Sequence, residues 1–215
     1  MAATFNVIQS NGAGNTLTNI GNTGNVFNFQ SADVATPATY AANPILFGTN
    51  SYEVWLRFMF TGSFNQIRDV RFWESANFAP STGLQIMFKG TQTIFLPPAT
   101  VTSSIATSSI PTSDPGSANV SIGGNVSGSI VTSSGITDFV VLQLQTTISA
   151  PAGDTSLATL SVSYAESLRR PIKTGVLAPR NILGHQGDMH EYVRDNSCIF
   201  GLAKPSCPDT SRWQF

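Results

Sequence analysis

A chain of 215 residues can bury a sizeable core without a disulfide or metal staple, and is short for more than one large domain plus an arm. Only 11% of the residues are charged and the net charge is −1, which excludes the dense basic footprint of a nucleic-acid binder and the high net charge of a disordered chain. The charge is unevenly placed: residues 1–168 carry four basic and eight acidic side chains, residues 169–215 seven basic and four acidic.

Ser, Thr, Asn and Gly take the place of the missing charges. They suit turns and solvent-facing strand positions, and they leave a surface that repels neighbours only weakly. No apolar run approaches the ~18 residues of a membrane-spanning helix, so no membrane contact is expected. Met1-Ala-Ala-Thr-Phe5 lacks the basic and apolar regions of a secretion signal.

In chain order, residues 3–8 suit a short strand. The pairs Asn11-Gly12, Gly14-Asn15, Gly21-Asn22 and Gly24-Asn25 mark tight turns separating short strands at Leu17, Ile20 and Val26 to Phe29. Residues 31–51 read as a loop anchored by Ile45, Leu46 and Phe47. The strongest signal follows. Tyr52, Val54, Leu56, Phe58 and Phe60 alternate with Glu53, Trp55, Arg57 and Met59, the period of a strand with one buried face.

A second run carries Val70 and Phe72 on one face with Ile67 out of phase, which predicts a bulge near Asp69. The short link containing Gly62 and Asn65 predicts that the two runs pair as an antiparallel hairpin. Leu84, Ile86 and Phe88 alternate again until Gly90, and residues 93–96 read as a further strand ending at Pro97-Pro98. The Ser/Thr-rich stretch 99–116 reads as a long surface loop, and Gly123-Gly124-Asn125 as a hairpin turn. Strands are expected at 138–148, with Val140, Leu142, Leu144, Thr146 and Ile148 on one face, and at 157–164, with Leu160, Val162 and Tyr164 on one face.

Together these describe an all-β chain: an antiparallel β-sandwich over residues 1–167, of jelly-roll or immunoglobulin-like topology. Residues 168–215 lose the alternation and read as an extended C-terminal arm. Some 48 residues hardly build a core of their own. The arm's Arg169, Arg170, Ile199, Phe200, Trp213 and Phe215 are therefore expected to lie against the chain's own body or a neighbouring subunit.

Candidate chemistry is thin. His185, His190, Cys198 and Cys207 supply zinc-ligand types, but nine residues separate the cysteines and the histidines would not share a helix face. With no secretion signal, a Cys198–Cys207 disulfide is not expected either. Glu53, Asp69 and Glu74 could pair for glycoside hydrolysis, but they read as solvent-face charges on a sheet. No nucleophile elbow, metalloprotease helix, phosphate loop or dinucleotide fingerprint occurs, so no catalytic, metal or cofactor-binding residue is assigned and no cofactor is expected. Trp55 and Trp73 stand opposite the main apolar face of their strands. They form a glycan platform if that face is open, and packing if loops or another subunit cover it.

The segments Asn50-Ser51-Tyr52-Glu53-Val54-Trp55-Leu56-Arg57, Gly62-Ser63-Phe64-Asn65 and Arg71-Phe72-Trp73 resemble β-sandwich structural proteins of tailed-bacteriophage virions. The resemblance runs over residues 40–167 and includes Ser104-Ile105-Ala106, Thr137-Asp138-Phe139-Val140, Ala150 to Gly153, and Tyr164-Ala165-Glu166. It implies a non-enzymatic place in a virion assembled in the host cytoplasm. The foremost expectation is a capsid cement or decoration protein that contacts the major capsid protein, other virion proteins and further copies of itself. The alternatives are a neck or tail component, or a carbohydrate-binding module using Trp55 and Trp73.

Overall fold

The alternating runs become strands. The computed structural model describes residues 3–21, 27–34, 42–62, 64, 66–76, 83–98, 104–123, 134–150, 159–167 and 193–201. Its strands are β1 (Thr4–Asn11), β2 (Thr16–Asn19), β3 (Val54–Thr61), β4 (Gln66–Ala76), β5 (Leu84–Gln92), β6 (Ser108–Ser109), β7 (Ser134–Ile136), β8 (Phe139–Thr146), β9 (Thr159–Ser167) and β10 (Val193–Gly201). They form two antiparallel sheets. The large sheet runs β2-β1-β3-β8-β5-β6, with β7 also paired to β3; the small sheet runs β10-β9-β4.

One apolar core joins the sheets. Leu56, Phe58 and Phe60 of β3 and Val140, Leu142 and Leu144 of β8 meet Ile67, Val70 and Phe72 of β4 and Leu160, Val162 and Tyr164 of β9. Rings bridge the layers: Phe58 lies 5.6 Å from Phe72, and Phe60 lies 4.8 Å from Tyr164. Each such side chain contributes about 1.5–3 kcal/mol by leaving water, so this aromatic seam is the main adhesive of the sandwich. No helix among the described residues is long and apolar enough to cross a membrane.

The expected hairpin is not formed. β3 pairs with β1, β7 and β8, whereas β4 pairs with β9 in the other sheet. The chain therefore changes sheets between Thr61 and Gln66. The physical reason is the apolar load. Both runs bury large rings on one face, and facing them across the core shields both, whereas pairing them edge to edge would leave one layer without a lid. Alternation fixes which face is buried, not which strand is the partner. The bulge is where the phase slip put it: the β4–β9 register shifts between Arg68 and Arg71, and Asp69 has φ 56°.

Other expectations need correction. Gly90 does not end β5, which continues to Gln92 with a register shift after Lys89. A Cβ there would stand 2.0 Å from the Asn119 carbonyl oxygen, so Gly90 is the place where a neighbouring segment approaches closely. Residues 93–96 form no strand, and residues 27–30 form none either. Leu46 and Phe47 are exposed, and only Ile45 of that trio packs on the core. Ile148 lies beyond the end of β8 and is exposed. The strand after Gly123-Gly124 lies outside the described residues.

Candidate functional site

The outer face of β3 is where the sequence left its choice open. Trp55 is fully buried there, so of its two readings, glycan platform or covered packing, the structure has packing. It sits between Phe95 at 5.1 Å and Phe139 at 5.4 Å, both edge-on, in a second apolar cluster with Ala106 and Val141. The segment before β6 folds over the sheet and supplies this cover.

Glu53 holds that cover down. It is 3% exposed, not a solvent-face charge. One carboxylate oxygen accepts the Trp55 indole N–H at 3.0 Å; the other accepts the Ser104 hydroxyl and the Ile105 backbone N–H, both at 2.7 Å. A carboxylate buried beside a sheet needs such donors, and this one takes them from both layers it joins.

Beside it, Arg57 donates from Nε to the Thr137 carbonyl at 2.7 Å and lies 4.5 Å over the Phe139 ring. Burial pushes the Arg57 pKa below its usual range, while the Asp138 carboxylate pulls it back up. Asp138 also accepts a hydrogen bond from the Ser121 hydroxyl. These groups knit loops to the large sheet.

On the small sheet, Trp73 is half-buried and stands opposite Ser161 in the register. The Arg71 guanidinium donates to both Asp114 oxygens, at 3.0 and 2.7 Å, and to Ser163 Oγ at 3.0 Å. Glu74 is buried and its backbone N–H donates to the Pro111 carbonyl. Glu53, beside β3, and Glu74, in β4, thus belong to different sheets. Among the described residues, no three His, Cys, Asp or Glu side chains group as metal ligands.

The surface feature that the sequence hid is an apolar tip. Leu46 is 68% exposed, Phe47 56% and Ile148 90%. Residues 46–49 form a turn closed by Thr49 N–H to Leu46 O at 3.0 Å, with Gly48 at φ 70°. That positive φ is the requirement of a type II turn, and it sets Phe47 at the outer corner, a position that more often holds proline. The turn is pinned to the end of β8 by Thr146 Oγ1 donating to Thr49 O at 2.7 Å, and by Ser51, which bonds Leu144 through backbone and hydroxyl. A Cβ on Gly48 would reach Ile148 at 3.2 Å, so the turn and Ile148 share one apolar surface. The one signal available was Gly48 after two bulky apolar residues.

Of the arm, residues 193–201 lie along β9 as β10, with Ile199 opposite Ser161 and Phe200 opposite Leu160. Arg169, Arg170, Trp213 and Phe215 lie outside the described residues, as do His185, His190 and Cys207. No protein-family model, curated protein or solved structure matches the chain.

Proposed function

We propose that the protein is a non-enzymatic structural component of a phage virion, foremost a capsid cement or decoration protein that binds neighbouring subunits. The observation that carries this reading is the apolar tip. Three large side chains are each more than half exposed: Leu46 and Phe47 on a turn hydrogen-bonded to the end of β8, and Ile148 beside that turn. Contiguous apolar surface of this kind marks contact with another protein, and rigidity lowers the entropy lost on docking. The low charge of the chain supports the same role, since the interior of an interface is depleted in charge. The phage resemblance supplies the kind of assembly.

The test uses particles of the protein's source, stripped of it and re-supplied with the full chain. Phe47→Asp combined with Ile148→Asp is expected to lower retention on the particles at least tenfold while leaving the unfolding midpoint of the isolated chain unchanged. Full retention of this variant overturns the tip as the docking surface.

A further inference from the structure

The two edges of the small sheet are closed in different ways. Along β4 the closure comes from single contacts of residues 111–120. The Asn119 side chain accepts from the Phe72 N–H and donates to the Phe72 carbonyl, each at 2.8 Å. Backbone N–H groups of Asn119 and Val120 donate to Val70 O, and that of Glu74 donates to Pro111 O. No further strand can add there without displacing these partners.

Along β9 the closure is a whole strand. β10 fills the edge through nine register pairs, from Val193 opposite Ser167 to Gly201 opposite Thr159. The 25 residues from 168 to 192 separate the two strands, where a hairpin uses about 2–5. The length of 25 residues bounds the reach at about 85 Å. A domain of this size is about 40 Å across, so the link reaches a neighbour's β9 as well as its own.

We propose that β10 is an exchanged strand: in the assembled state, residues 193–201 of one copy complete the small sheet of a second copy along β9. The register suits a specific occupant. In the register Arg194 stands opposite Glu166, Cys198 opposite Val162 and Phe200 opposite Leu160, pairings of opposite charge type and of apolar type. Glu166 is 1% exposed and accepts the Ala3 backbone N–H at 2.9 Å, which anchors that end of β9. The ladder is the same within a chain or between chains. Closure within one chain is favoured only by an effective concentration in the millimolar range, which copies crowded on a shell can match. The inference goes beyond the virion reading, which stands unchanged if each chain closes its own sheet.

The experiment places the two thiols on different copies. One full-length chain carries Val162→Cys, Cys198→Ser and Cys207→Ser; the other keeps Cys198 and carries Cys207→Ser. They are co-expressed, concentrated and oxidised. A disulfide between positions 162 and 198 can then form only between copies, and the covalent heterodimer is the expected result. A single chain with Val162→Cys and Cys207→Ser reports closure by any route.

Should burial at position 162 spoil folding, Ala165→Cys and Asp195→Cys replace the pair in chains lacking the native cysteines. The two pairs alternate in ladder type, so one has the closer spacing that suits a disulfide. Linkage within the single chain but never between copies overturns the proposal. So does absence of linkage by either pair.

Discussion

Replacing Glu53 with glutamine tests how the outer layer is held. Glu53→Gln keeps the shape but leaves one acceptor oxygen for three donors: the Trp55 indole, the Ser104 hydroxyl and the Ile105 N–H. If that oxygen keeps Ser104 and Ile105, the new amide points N–H groups at the indole N–H. Hydrogen bonds to a charged acceptor are worth about 1.5–3 kcal/mol against ~1 for neutral ones, and a buried donor left unmet costs about 1–3 kcal/mol. The expected loss is therefore about 2–4 kcal/mol, or roughly 5–12 °C in Tm for a chain of this length. Urea unfolding followed by far-ultraviolet circular dichroism measures it. In a Trp55→Phe background the indole donor is gone, so the same substitution is expected to cost about 1 kcal/mol less. A Glu53→Gln protein within ~0.5 kcal/mol of the parent would refute the buried clamp and return Glu53 to the solvent face.

Further outcomes follow from single positions. Asp69→Val is expected to lose about 1–2 kcal/mol in urea unfolding, because a branched side chain strongly resists the φ of 56° that the bulge needs, whereas Asp69→Gly stays within ~0.5 kcal/mol. Asn119→Ala removes both side-chain bonds to Phe72; it is expected to cost about 1–3 kcal/mol and to raise amide exchange along β4 selectively. The Phe47→Asp, Ile148→Asp double variant is expected to change particle binding and not stability, since both side chains are already in water.

Much of the fold was legible because it is written in a period of two. β3, β5, β8 and β9 fall on alternating runs, and the Ile67 phase slip located the bulge at Asp69. Pairing was not legible. Nothing in residues 52–74 says that β3 and β4 face each other instead of pairing, because a short link serves a hairpin or a crossing equally. The role of Glu53 was hidden for a related reason. A charge on the second face of a strand is normally solvated, and only the distant Ser104 and Ile105 make it buried. The tip was misread because Leu46 and Phe47 look like loop anchors until Gly48 turns them outward. β10 was missed because Val193 to Gly201 does not alternate.

Quantitative mass spectrometry of purified particles from the protein's own source tests the structural role most directly. A virion structural protein is expected at a fixed copy number relative to the major shell protein, and that ratio should persist through repeated gradient purification. Complete absence from intact particles would contradict the assembly role, whatever the tip and the exchanged strand do in isolation.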